Sequence, residues 1–186
     1  MTTTPTGRAN ALKHELLIEA RHPCPLPAED VYDVLADLRS HLDWAGERQS
    51  QTSRLTTMDA PAGPAMVGAE FRTTGLDPMG TFDDSSVVTE ATRPHVLEFV
   101  TEARLTTKKG TTVDWTNVHR YELEPAPSGC TIHASIRIVR ISELPGMLAV
   151  FRIPLLSALA LKMSRSVVER GLRNLAQVTQ ERATAR

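Results

Sequence analysis

Hydrophobic and polar positions alternate most clearly from Thr112 to Ile141, where two period-two stretches flank a short turn, Ala126-Pro127-Ser128-Gly129. In the first stretch Asp114, Thr116, Val118, Arg120 and Glu122 form a solvated row, which sends Trp115, Asn117, His119, Tyr121 and Leu123 to the other face. In the second, Ile132, Ala134, Ile136 and Ile138 form the apolar row. Both rows must share one buried face. That register predicts a hairpin with a four-residue loop, pairing Tyr121 with Ala134, His119 with Ile136, Asn117 with Ile138 and, outside, Glu122 with His133. The same phase sets Arg140 opposite Trp115 on the inner side. An interior row of polar-tipped rings is a poor dry core and predicts a cavity.

Upstream, His14 to His22 alternates as a first strand, and Pro23, Pro25 and Pro27 then end ladder pairing. Pro27 suits a first helical position, and Val31, Val34, Leu35 and Leu38 repeat at helical spacing behind Glu29 and Asp30. Ser40 is a candidate cap for a second short helical turn through Leu42 and Trp44 to Gly46, with the indole closing one end of a core. Gln51 to Met58, Val67 to Thr74, Asp84 to Thr92 and Pro94 to Thr107 are strand candidates separated by loops rich in Pro and Gly. Outward Glu70 and Arg72 put Val67, Ala69, Phe71 and Thr73 inward, and outward Glu98 and Glu102 put Leu97, Phe99, Thr101 and Ala103 inward.

From about Gly146 to Arg182 the pattern turns helical, broken or kinked at Pro154, with Leu156, Leu159, Met163, Val167, Leu175 and Val178 as its apolar stripe. The greasiest stretch, Leu144 to Leu161, is interrupted by Pro145, Gly146, Arg152 and Pro154, so it does not read as a membrane span. Burial within the fold, a flap over a cavity mouth, and a surface for peripheral membrane contact or a second copy of the chain are its three readings. A homodimer stays open.

Composition narrows the functional classes. The 186 residues suffice for one domain, expected over 13–182 between polar tails at 1–12 and 183–186. A formal charge of -1 and no Lys/Arg run with interleaved aromatics argue against nucleic acid as a partner. The first ten residues lack an apolar stretch, and only Cys24 and Cys130 are present, without CxxC spacing, so a cytoplasmic protein with no disulfide framework is expected. The six histidines share no metal-ligand spacing, and no GxSxG, P-loop or GxGxxG occurs, so neither a metal nor another cofactor is expected. Asp83 and Asp84 point opposite ways on a strand and read as a loop-to-strand edge rather than an acid/base pair.

His119 is the leading candidate for chemistry, because an imidazole held in a cavity can move a proton to or from an enolisable carbonyl compound. Tyr121 and Asn117 flank it about 7 Å away along the strand and can hold carbonyl oxygens. Trp115 can stack on a flat ligand or close the mouth, and Arg140 can meet an acidic group. Phe71, Thr73, Phe99 and Thr101 from neighbouring strands, with Met163 from the long helix, complete the candidate ligand contacts.

The predicted order is one strand, two short helices, six strands and a long helix. The segments PAEDVYDVLADLRSHLDWAG, VGAEFR, VVTEATRPHVLEFV, YELEPAPSGCTIHASIRI and RGLRNLAQV resemble the polyketide cyclase/dehydrase branch of the START-like (SRPBCC, Bet v 1-like) superfamily, over roughly residues 13–180. The resemblance implies an α+β helix-grip fold, a curved antiparallel seven-stranded sheet wrapped around the last helix, with a hydrophobic cavity between them. Its members include aromatase/cyclases, lipid carriers, quinone-binding proteins, hormone receptors and co-chaperones. The expectation is a protein that binds a mostly hydrophobic small molecule. As an enzyme it would catalyse aldol-type cyclisation or dehydration of a polyketide-like substrate, with His119 transferring the proton while Tyr121 and Asn117 hold carbonyl oxygens. The alternatives are a non-catalytic carrier or sensor of lipid, quinone or similar ligand, and a protein-interaction module using the outer sheet face.

Overall fold

Alternation this long can bury its apolar rows only by curling a sheet, and the computed structural model, which describes residues 10–142 and 154–185, shows that sheet. Its strands are β1 (Asn10–Cys24), β2 (Arg54–Asp59), β3 (Glu70–Asp77), β4 (Gly80–Thr92), β5 (Val96–Thr107), β6 (Thr112–Ala126) and β7 (Gly129–Ile141). They form one seven-stranded sheet, every neighbouring pair antiparallel, in the order β1-β7-β6-β5-β4-β3-β2. Two short helices, α1 (Ala28–Ala36) and α2 (His41–Ala45), follow β1, and α3 (Pro154–Thr184) closes the chain. The readings of the apolar segment 145–161, and the Leu156 and Leu159 part of the helical stripe, concern side chains that lie outside the described residues. No described helix is long and apolar enough to cross a membrane.

The hairpin register predicted from burial is the observed one: Tyr121 pairs with Ala134, His119 with Ile136, Asn117 with Ile138 and Glu122 with His133. The turn is tighter than expected, because Ala126 and Gly129 already pair and only Pro127 and Ser128 stand between them. Gly129 has φ +131°, and a Cβ there would collide with the Cys24 carbonyl oxygen. Only glycine fits that position.

Arg140 is a correction. A bulge inserts Val139 between the residues facing Asn117 and Thr116, so Trp115 pairs with Ile141 and Arg140 with Thr116. The extra residue resets the alternation and turns the guanidinium to the outer side, where it is exposed. Val67 is a second correction. It is 67% exposed, in the turn before β3 where Gly68 has φ +85°, while Phe71 and Thr73 are buried as expected. β1 opens at Asn10, ahead of the alternating His14–His22 stretch.

The helices close one end of the sheet. α1 buries Val31, Val34 and Leu35, and a 3-10 turn at Leu38–Ser40 leads into α2, which buries His41 and Trp44. Ser40 does not cap α2; its hydroxyl donates to the Val34 carbonyl instead. α3 packs on β1, α1 and α2 and buries Leu172, Leu175, Ala176, Val178 and Thr179. Each fully buried leucine in that seam is worth about 1.5–3 kcal/mol of transfer free energy.

Candidate functional site

β6 supplies the floor. Asn117 and Tyr121 are buried and Trp115 and His119 half-buried, and their β5 partners are Thr101, Leu97, Ala103 and Phe99 respectively. Phe99 is the hub of the ring cluster. His119 stacks on it with centroids 4.9 Å apart and planes 13° from parallel, and Phe71 meets it edge-on at 5.2 Å. Tyr121 lies 6.2 Å from Phe99, and His41 of α2 lies 6.4 Å from it and 4.8 Å from Trp44.

A cavity of about 240 Å³ lies above this floor. Trp44, Phe82, His119, Tyr121 and Ile136 line it on one side, and Val167, Val168, Gly171 and Leu172 of α3 on the other, with Leu55 and Arg54 of β2 at its edge. Hydrogen bonds clasp α2 and its following loop to α3 and so fix the cavity's width. Gln49 Nε2 donates to the Val167 carbonyl at 2.6 Å, and Asn174 Nδ2 donates to the Trp44 carbonyl at 2.9 Å and to Gln49 Oε1 at 3.2 Å.

Unspent polar atoms set this lining apart from ordinary core. Trp44 Nε1 is buried without a partner, and among the described residues nothing is hydrogen-bonded to the His119 ring or the Tyr121 hydroxyl. Burial pushes Tyr121 up to about 12 and, with a smaller contribution from His41, pulls His119 down to about 4, so both are neutral at pH 7. A neutral imidazole can accept or donate one hydrogen bond. Without an orienting carboxylate it is a weak general base.

Further along the same face the row turns polar. Ser86 Oγ and Thr101 Oγ1 lie 2.8 Å apart in a buried hydrogen bond, Thr73 is buried, and Asn117 Oδ1 is buried with no partner. Asp84 belongs here as well: it pairs with Thr73 on one side and Ala103 on the other, and its Oδ1 is buried and unpartnered. Burial, reinforced by Asp83 and opposed by a backbone hydrogen bond from Arg104, lifts its carboxyl to about 7.

Of the residues singled out in the sequence, Phe71, Phe99, His119 and Tyr121 meet in the ring cluster, while Thr73, Thr101, Trp115 and Asn117 continue the same concave face. Met163 is 61% exposed on α3, and Arg140 is on the outer face. Three residues of the site are not among the candidates that the sequence offers for it. His41 carried no signal, because a five-residue helix has no measurable period. Trp44 was legible as core closure but not as cavity wall. Asp84 was legible from Ser86 and Val88, which share its alternation and are buried. Among the described residues no three His, Cys, Asp or Glu side chains gather as a metal site.

No family model and no curated protein matches the chain. Its fold is similar to that of a protein from Rhizobium leguminosarum, with a TM-score of 0.63 and 12% identity over 90% of this chain and 96% of that one. Ara h 8.0201 matches with a TM-score of 0.55 and 10% identity over 90% and 99%. DynU16, a protein in the dynemicin biosynthetic locus, matches with a TM-score of 0.51 and 13% identity over 88% of this chain and 47% of its own. Identities this low carry the fold alone. Sheet order, helix placement and these likenesses together give the chain a Bet v 1-like, helix-grip fold.

Proposed function

We propose that the protein binds a mostly apolar small molecule between the concave face of its sheet and α3. One observation carries this reading: the cavity is walled by aliphatic and aromatic side chains, yet Trp44 brings to it a buried indole N–H without a partner, and among the described residues nothing is hydrogen-bonded to the His119 ring or the Tyr121 hydroxyl that also line it. Buried polar atoms are ordinarily paired, so unpaired ones around a cavity are groups that a guest can satisfy. An apolar cavity of about 150 Å³ takes a benzene ring. This cavity of about 240 Å³ therefore accommodates about two fused rings.

Binding without turnover is the version the site favours. His119 is neutral, stacked on Phe99 and, among the described residues, without an orienting carboxylate, whereas aldol chemistry asks for a positioned base. The outer sheet face is a weaker candidate for an interaction surface, because its charges neutralise one another. Arg120 pairs with Glu90, Glu98 and Glu122, and Arg104 with Asp114. A single domain over 13–182 and a cytoplasmic location belong to the same proposal.

Native mass spectrometry of freshly purified protein tests it. A retained apolar guest is the expected result. Protein that emerges empty, with Trp44 and Trp115 fluorescence unmoved by any apolar aromatic compound, would overturn it. Turnover that disappears in His119→Ala while ligand affinity persists would move the reading to the cyclase/dehydrase chemistry.

A further inference from the structure

Asp84 is a half-buried residue whose carboxyl Oδ1 is enclosed, and among the described residues no cation pairs with it. The alternation that buries Ser86 and Val88 turns Asp84 to the concave face, and its exposed neighbour Asp83 to the outside. Its inward neighbours are uncharged: Phe71, Thr73 and Gly75 on β3, Thr101, Ala103 and Leu105 on β5, and Val113, Trp115 and Asn117 on β6. Arg104 meets it only through the backbone, and the Arg104 guanidinium is held 2.7 Å from Asp114 on the outer face.

The spacing across the sheet matters as much as the charge. Asp84 pairs with Ala103, and Ala103 pairs with Trp115. At a strand separation of about 4.8 Å, the carboxyl-bearing and indole-bearing positions stand roughly 10 Å apart with only a methyl group between them. The two buried orphan atoms on this stretch, Asp84 Oδ1 and Asn117 Oδ1, are both acceptors. A carboxylate, an indole and a second acceptor around a small-residue floor suit a group that donates hydrogen bonds and carries positive charge. An anion would be repelled, and a neutral guest would leave the carboxyl group to protonate.

We propose that the guest is an apolar amine whose cationic nitrogen is held between Asp84 and Trp115 across Ala103. The proposal rests on the binding reading above and names its ligand class. The ammonium pairs with the Asp84 carboxylate, its flank lies against the Trp115 indole, and the apolar body extends over Phe99 towards the ring-lined cavity.

Three probes of matched shape test this on the full chain by titration calorimetry: phenylbutylamine, phenylbutanol and phenylbutyrate. The expected order is amine first, by about tenfold or more over the alcohol, with the carboxylate weakest. In Asp84→Asn the amine should fall to the level of the alcohol, whose own affinity stays within about twofold. Equal binding of amine and alcohol to the unmodified protein overturns the proposal without any variant, as does an amine preference that survives in Asp84→Asn. Binding of the alcohol alone leaves the small-molecule reading intact and removes the amine. Failure of all three probes to bind, with a purified protein free of guest, removes both.

Discussion

His41 and His119 lie against the same phenyl ring, and burial pulls both down to about 4, yet they belong to different kinds of site. His41 is buried at the closed end of the grip, where its Nε2–H donates to the Leu35 carbonyl at 2.8 Å and ties α2 to α1. His119 is half-buried on the cavity floor, and among the described residues no hydrogen bond reaches its ring. A depressed histidine is therefore not by itself a sign of function. What distinguishes the open region is capacity left over: Trp44 Nε1, Asn117 Oδ1 and Asp84 Oδ1 are buried and unpaired there.

The largest effect should come from removing the pillar between the two regions. Trp44 is packed by His41 and Tyr121 and clasped through its carbonyl to Asn174. Trp44→Ala should cost about 3–5 kcal/mol in denaturant unfolding. A loss under 1 kcal/mol would mean that the closed end is looser than described.

Next come the ionisable groups, whose signs oppose one another. Asp84 titrates at about 7 in the fold against an ordinary 3.8. The folded chain holds that proton more tightly, so this group's stabilising contribution falls as pH rises from about 4 to 7 and is level above that. The two histidines titrate at about 4 against 6.5. The unfolded chain takes up those protons first, so their contribution is present at neutral pH and is lost as pH falls from 6.5 towards 4. Each amounts to a few kcal/mol at most. Asp84→Asn should therefore steepen the acid-side loss of stability and raise stability at pH 8, measured by urea unfolding at several pH values. An unchanged profile would place the carboxyl group in water.

The histidine pair sharpens the contrast directly. His41→Phe leaves the Leu35 carbonyl unsatisfied and should cost about 1–3 kcal/mol, whereas His119→Phe abandons no partner and should cost under about 1 kcal/mol while changing affinity for aromatic probes. Equal losses in the two variants would erase the distinction. The smallest effect belongs to Arg140→Ala, which should stay within about 0.5 kcal/mol and leave probe binding unaltered, because the bulge at Val139 turns Arg140 away from the site.

The same bulge shows where sequence reasoning stops. Alternation alone pairs His119 with Ile136 and Tyr121 with Ala134, because a one-residue slip would expose Ile132, Ile136 and Ile138. It continued past Ile138 and set Arg140 opposite Trp115, since an inserted residue leaves no mark in a row of hydrophobic and basic side chains. Val67 failed for a related reason, as the alternation was carried through the turn at Gly68. His41 was invisible because its role depends on the Leu35 carbonyl and on rings brought from β5 and β6, contacts that exist only once the grip has closed. Asp84 is legible in the sequence, because the pattern that buries Val88 applies two and four residues earlier as well.

Whether the cavity between β6 and α3 is a binding site can be tested at Gly171, which lines it. A Cβ there would lie 3.7 Å from Trp44 Cζ3, an ordinary contact, so the backbone tolerates a side chain that grows into the cavity. The decisive measurement is equilibrium binding of a fluorescent apolar probe to the unmodified protein and to Gly171→Leu, with cooperative unfolding confirmed for both. Saturable binding to the first and a loss of about tenfold or more in the second is the predicted result. Equal affinity in the two proteins would contradict it.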